Sequence, residues 1–268
     1  MIIDSHVHFG KSLNFDMKQE TVLAAMKKYK ISKAIVSNSQ ACEVDHHQII
    51  LPQDLQVPMI KCTQDAVDFA RNNPGKIFAA IWVKPLHEKV TPEFTKLIKE
   101  NLDVIKAIKF HPYHSKIKFD GPEADMYLKL AADLNLPVIT HTGTGDCDNV
   151  FLCLNVAKKY PSLKIIMAHL GLGSDNSDAL DVMAQADNLY GDTTWVPMST
   201  TVELIKRFGS ERTMFGSDMP IDGLDTYHHN PKGEPSVYQD YFNKLPEIIS
   251  KKDLDNVMYK NARNIFGI

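Results

Sequence analysis

Pro137-Val138-Ile139-Thr140-His141-Thr142-Gly143 and Lys164-Ile165-Ile166-Met167-Ala168-His169-Leu170-Gly171 frame the stretch on which the fold turns. Each is a short, β-branched apolar run that closes on a histidine and then meets glycine. Between them, residues 150–160 repeat apolar side chains at helical spacing. Strand, helix and strand in that order imply a parallel sheet with helices packed on it.

The alternation continues in both directions. Strands are predicted at residues 2–7, 34–37, 77–83, 104–110, 137–141, 164–169, 188–192 and 213–216. Helices are predicted at 20–29, 62–72, 92–100, 123–134, 150–160, 178–186 and 201–208. Pro92 and Pro122 stand where a first helical turn tolerates proline, and Asn73-Pro74-Gly75 reads as a helix stop. Eight strands favour closure into a (β/α)8 TIM barrel, with a doubly wound open sheet as the rival. A chain of 268 residues suits one such domain, 1–268, and no linker, repeat or low-complexity segment divides it. Two insertions, 41–61 and 217–235, follow the carboxyl ends of the second and eighth strands, where barrel active sites are built and where lids sit.

Composition narrows the function. Hydrophobic residues make up 44% and charged residues 24%, which excludes disordered and fibrous architectures. Apolar runs such as 77–83 fall well short of the ~18 residues of a membrane span. Thirty basic against thirty-three acidic residues give a net charge of −3 without a basic tract, so neither nucleic acid nor an anionic membrane is the expected partner. A small-molecule substrate is expected, with a homodimer as the one protein partnership. Cys42, Cys62, Cys147 and Cys153 show no CxxC spacing, and no leader pattern precedes Asp4. Reduced thiols in the cytoplasm are the expectation.

Eleven histidines are the compositional oddity. His6 and His8 lie two apart in the first strand, so both project from one face. In a barrel that places two imidazoles together at the mouth, an arrangement suited to a divalent transition metal. A hydrogen-bonded core pair is the plainer alternative. His141 ends the fifth strand, His169 the sixth, and Asp218 follows the eighth in Met214-Phe215-Gly216-Ser217-Asp218-Met219-Pro220. Polar residues that close apolar strands are where a barrel carries its chemistry.

These motifs resemble the amidohydrolase superfamily. Asp4-Ser5-His6-Val7-His8, the blocks at 136–143 and 168–171, Phe215-Gly216-Ser217-Asp218 and Asn261-Ala262-Arg263-Asn264 are similar to the branch that contains aminocarboxymuconate-semialdehyde decarboxylase and its hydrolase relatives. The resemblance implies one divalent metal, zinc first and manganese or iron next, held by His6, His8, His141 and Asp218. It also implies Asp218 and His169 as catalytic groups. A metal of this kind lowers the pKa of bound water toward ~7.

Lys109 and His111 share one face of the fourth strand. Both are expected to contact substrate, as is Trp82 at the end of the third. A second metal follows only if Lys109 is carboxylated. Asp192, closing the seventh strand, is expected to orient a ligand histidine. Trp195 is read as an apolar wall or core filler, and Asp222 and the pairs His46-His47 and His228-His229 as loop residues. Other motifs fail: Gly10-Lys11-Ser12 lacks the first P-loop glycine, His87-Glu88 lacks the second zincin histidine, and no GxSxG elbow occurs.

Only four arginines occur, Arg71, Arg207, Arg212 and Arg263, and none is placed at a strand's carboxyl end to clamp a carboxylate. Lys84 and Lys109 are the substitutes. The leading expectation is therefore a metal-dependent hydrolase of a small amide, lactone or ester. A metal-dependent decarboxylase of a small unsaturated or aromatic acid is the alternative, and a catalytically silent metal-binding barrel the third reading.

Overall fold

The computed structural model describes residues 1–221 and 237–268. Nine strands form one sheet in the order β2-β1-β3-β4-β5-β6-β7-β8-β9. They are β1 (Ile3–Ser12), β2 (Phe15–Met17), β3 (Lys33–Asn38), β4 (Ile77–Trp82), β5 (Ile105–Phe110), β6 (Val138–His141), β7 (Ile165–Ala168), β8 (Leu189–Asp192) and β9 (Thr213–Met214). From β1 and β3 onward every pair is parallel, and only the β1–β2 hairpin is antiparallel. The segment after β9 returns to β1: Ser5 N–H donates to Phe215 O, Asp218 N–H to His6 O and His8 N–H to Met219 O, each at 2.9 Å. Those bonds close a (β/α)8 barrel in which β1 and β3–β9 are the eight staves and β2 is an extension of the first.

Helices α1 (Gln19–Tyr29), α2 (Met59–Asn72), α3 (Pro92–Glu100), α4 (Pro112–Ser115), α5 (Pro122–Asp133), α6 (Val150–Lys159), α7 (Ser177–Met183) and α8 (Met198–Phe208) alternate with the staves. Local chemistry sets several ends. Thr91 Oγ1 accepts from Phe94 N–H ahead of Pro92 at the start of α3, and Lys30 closes α1 in the left-handed region. After β9 come α9 (Val237–Asn243), α10 (Leu245–Ile248), α11 (Lys251–Asp255), a π-helical turn and α12 (Asn261–Phe266). Among the described residues no helix is long and apolar enough to cross a membrane.

The barrel interior is a stack of alternate strand residues. Ile3, Ile35, Phe78, Ala80, Ala107, Ile139, Ile166, Ala168 and Met214 fill it, with Ala262 and Phe266 of α12 as its floor. Continuing by twos toward the carboxyl ends leads from Ala80 to Trp82, from Ala107 to Lys109 and from Ile139 to His141. In β1 parity alone would send Ser5 and Val7 inward after Ile3. A register shift between Asp4 and Val7 turns Val7 and Phe9 into the outer helix-facing core and gives the interior to His6 and His8.

The 41–61 insertion is short of a free lid. A Val44–Ile50 bridge closes its tip, and α2 already begins at Met59. Lys84 Nζ donates to Gln56 Oε1 and Val57 O, both at 2.7 Å, and His87 donates to Glu43 Oε1 from its backbone N–H at 3.0 Å and its ring at 2.8 Å. Lys84 therefore fastens the insertion to the end of β4 and does not face the chamber, which corrects its reading as a substrate cation. Most of 217–235 lies outside the described residues, as do Asp222, His228 and His229.

Candidate active site and metal centre

The carboxyl ends of the staves enclose a chamber of about 120 Å³, lined among others by His6, His8, Trp82, His111, His141, His169 and Asp218. A wider vestibule of about 450 Å³ opens outside it, past His111, Tyr113, His114, His141, Asp148 and Leu172. The Gly143 and Gly145 turns pack against Asp148, whose Oδ1 accepts from Gly145 N–H at 2.9 Å.

Hydrogen bonds at the outer ring nitrogens fix the imidazoles. His6 Nδ1 lies 2.8 Å from Asp192 Oδ2, so that nitrogen carries the proton and Nε2 is left as a bare lone pair. His8 Nδ1 lies 2.9 Å from Ser37 Oγ, whose own hydrogen turns to Val7 O, which again leaves Nε2 bare. The two Nε2 atoms are 3.1 Å apart, and Asp218 Oδ1 lies 3.4 Å from the first and 3.0 Å from the second. Two acceptors and a carboxylate facing one another need a shared cation. Donors bound to one metal at about 2.1 Å stand roughly 3.0–3.5 Å apart, so His6, His8 and Asp218 fit a divalent ion.

A buried lysine also faces this cluster. Lys109 Nζ lies 2.8 Å from His6 Nε2, and only 1% of the residue is exposed. Burial pulls the ammonium down to about 8, against the attraction of Asp218 and Asp192. Burial likewise holds His6 and His8 below the usual imidazole range, with Lys109 adding to the effect at both. For Asp218 burial pushes upward, but His6, His8 and His169 outweigh it and keep the carboxyl well below the usual carboxylate range.

His169 stands across the chamber, its ring centroid 5.4 Å from that of His6 and 4.8 Å from that of His141. Its Nδ1 donates to Thr194 O at 3.2 Å, so Nε2 is an acceptor, and burial followed by His141 keeps the ring neutral. His141 lies apart from the three clustered donors: its Nε2 faces Asp148 Oδ2 at 3.4 Å and its ring stacks on His111 at 4.1 Å. His111 in turn stacks on Trp82 at 5.2 Å and on His114 at 3.8 Å, forming a flat aromatic wall. Burial drives His114 down to about 3 and holds His111 well below the usual imidazole range, so these two rings are neutral near pH 7.

Behind the site, buried carboxylates hold the backbone. Asp192 Oδ1 accepts from His169 N–H and Thr194 N–H, both at 3.1 Å. Asp4 accepts from Ser217 N–H at 3.0 Å and Ser217 Oγ at 2.5 Å, and burial lifts it to about 7 despite those bonds. His169, Trp195 and Asp218, at the ends of three successive staves, have φ of 71°, 59° and 62°. Left-handed backbone costs such residues about 1–2 kcal/mol each, a strain typical of functional sites.

Trp195 is the group that the sequence reading missed. It is no apolar filler: its indole Nε1 donates to Asp218 Oδ2 at 2.9 Å. The arginines do stay away from the chamber. Arg71 pairs with Asp103, Arg207 with Glu203, Arg212 donates to carbonyls at the opposite barrel end, and Arg263 lies over Tyr259. His46 and His47 are exposed in the insertion.

The amidohydrolase family model matches residues 3–268. No curated protein matches in sequence. The fold is similar to that of 2,6-dihydroxybenzoate decarboxylase from Rhizobium, with a TM-score of 0.69 and 15% identity over 99% of this chain and 98% of that one. It is also similar to dihydroxybenzoic acid decarboxylase from a Polaromonas species with bound manganese, with a TM-score of 0.70 and 15% identity over 99% and 96%. A manganese-bound 5-carboxyvanillate decarboxylase from Novosphingobium aromaticivorans gives a TM-score of 0.74 and 13% identity over 100% and 97%.

Proposed function

The chain belongs to the amidohydrolase family, and on that premise we propose that it is a metal-dependent hydrolase of a small, uncharged carbonyl compound such as a lactone, amide or ester. His6, His8 and Asp218 hold one divalent ion in this reading, with His141, the next imidazole along the wall, completing the set. Imidazole and carboxylate donors suit zinc, manganese and iron alike, and two of the similar structures carry manganese. When bound, such an ion polarises a carbonyl oxygen and makes water nucleophilic near neutral pH.

The protein's own groups then divide the proton work. Neutral His169, with Nδ1 committed to Thr194 O, accepts a hydrogen bond from the attacking water at Nε2. Asp218 takes up the water proton and returns it to the leaving group. The Trp82–His111 wall offers a flat face to the substrate. Free thiols support a reducing compartment, the cytoplasm.

The distribution of charge carries the choice of hydrolysis. Beyond the metal donors, the charged side chain that lines chamber or vestibule among the described residues is the vestibule carboxylate Asp148, while Lys109 lies buried against His6. An acid substrate would pass Asp148 and find no guanidinium to hold it. A second reading, metal-dependent decarboxylation, is favoured by Lys109, whose ammonium reaches the metal donors and can pair with one carboxylate, and it agrees with the activities of the similar structures.

The deciding experiment loads purified protein with manganese or zinc and incubates it with lactones, amides and hydroxybenzoates side by side. Acid release from a lactone or amide, abolished in Asp218→Asn, is expected. Carbon dioxide release from a benzoate faster than any hydrolysis would overturn the proposal in favour of decarboxylation. Metal binding without turnover of any compound would leave the silent barrel.

A further inference from the structure

The turn Asp192-Thr193-Thr194-Trp195, at the carboxyl end of β8, touches three separate members of the site. Asp192 fixes His6 through Nδ1 and holds the backbone of His169, and Thr194 O receives the His169 ring. The last residue of the turn, Trp195, reaches Asp218. We infer that Trp195 is a positioning residue that assigns the two oxygens of Asp218 to different tasks, an inference that rests on the metal-site reading above.

The geometry separates the oxygens. Oδ1 lies 3.4 Å from His6 Nε2 and 3.0 Å from His8 Nε2, on the donor side. Oδ2 is held at 2.9 Å by the indole N–H, a charge-assisted bond with a rigid donor. Without that anchor the carboxylate is free to turn about its Cβ–Cγ bond and exchange its oxygens. Trp195 and Asp218 both occupy the left-handed region, φ 59° and 62°, so the backbone of each is strained into the orientation that lets the two side chains meet. Strain at both ends of one contact has a ready explanation if the contact positions a reacting group.

Hydrogen-bond partners of metal-bound side chains usually change affinity by 10–100-fold when lost. The test therefore measures affinity for manganese and zinc by competition with a chelating indicator, in wild type, Trp195→Phe and Trp195→His. Phenylalanine keeps an aromatic ring without the N–H. Histidine can place Nε2–H where the indole N–H stood. We expect Trp195→Phe to bind about 10–100-fold more weakly and Trp195→His to recover most of the loss. Equal weakening in both variants means that only ring volume matters, and affinity within threefold of wild type in Trp195→Phe means that the contact does nothing; either result overturns the inference.

A second measurement needs no metal and no Trp195 variant. The chain has two tryptophans, so in a Trp82→Phe background Trp195 is the only indole. Its emission maximum in the metal-free protein must shift when Asp218 is changed to Asn, and an unchanged maximum refutes the contact. Should wild type take up no metal, the hydrolase reading falls, while this shift still judges the Trp195–Asp218 contact.

Discussion

Lys109→Met isolates the energetic cost of a buried cation. Lys109 is 1% exposed, and burial lowers it from 10.5 to about 8. At about 1.4 kcal/mol per pH unit this difference disfavours the folded state by on the order of 3 kcal/mol at neutral pH. Between pH 8 and 10.5 the folded chain holds fewer protons here than the unfolded chain. Wild-type stability must therefore gain from this residue as pH rises through that window, and the penalty is fully present below about pH 8. Methionine fills a similar volume without the charge, but it strips His6 Nε2 of its 2.8 Å partner, which returns about 1 kcal/mol. The net expectation for metal-free protein at pH 7 is stabilisation by roughly 2 kcal/mol, fading by pH 10. Other groups titrate in the same range: burial raises Cys42 to about 11 and Cys62 to about 12, which works the opposite way. The informative quantity is thus the difference between variant and wild type in urea unfolding at pH 7, 8, 9 and 10. Parallel stability curves for the two proteins over that range would refute the reasoning.

Asp192→Asn should weaken metal binding by about 10–100-fold with only a modest loss of stability, because an amide oxygen still serves the His169 and Thr194 N–H groups while its NH2 forces His6 into the wrong tautomer; chelator competition measures it, and wild-type affinity counts against the tautomer argument. In Gly216→Ala the new Cβ would stand 2.7 Å from Thr194 Oγ1 and 3.1 Å from His6 Cβ, so about 1–3 kcal/mol of destabilisation is expected in denaturant unfolding together with weaker metal binding, and an unchanged midpoint would show that the β1–β9 seam has slack.

The alternation of eight staves with helices, and from it the barrel, was legible because short apolar runs and helical periodicity reflect local burial. The positions of His6, His8, His169 and Asp218 could be placed at strand ends by the same logic. Register was harder. The shift between Asp4 and Val7, which gives the interior to the two histidines, follows from pairing with β3 and from closure against residues 215–219, both far away in sequence. Lys84 shows the same limit. It sits two residues after Trp82, at interior parity, yet Gln56 and Val57 of a long insertion draw it aside. Trp195 carried no readable signal either, since its partner lies 23 residues on and only left-handed backbone at both residues lets them meet. Helix α2 starts at Met59, ahead of the expected 62, because Glu88 Oε1 accepts from Met59 N–H at 2.7 Å and serves the helix start from another element.

The choice between hydrolysis and decarboxylation comes down to the charge state of one side chain. In the metal-free protein Lys109, at about 8, is largely an ammonium at neutral pH and able to pair with a carboxylate. A divalent ion held at His6 Nε2 would lie beside that same nitrogen, 2.8 Å from the imidazole donor. Two unit charges 4 Å apart repel by roughly 4 kcal/mol at an effective dielectric of about 20, and a divalent ion doubles that. Repulsion of that sign would lower Lys109 further when a divalent ion is bound, toward the neutral amine. A neutral amine cannot anchor a carboxylate by charge, and no arginine among the described residues can replace it. On the hydrolase reading a bound ion would thus weaken the cation that could hold an acid, and this is the argument for proposing an uncharged carbonyl substrate on a barrel that resembles those of decarboxylases. Proton release on manganese binding, followed by calorimetry in buffers of different ionisation enthalpy, reads this directly. Release at pH 7 that is lost in Lys109→Met is the expected result, and identical proton counts in the two proteins would return the ammonium, and with it decarboxylation, to first place.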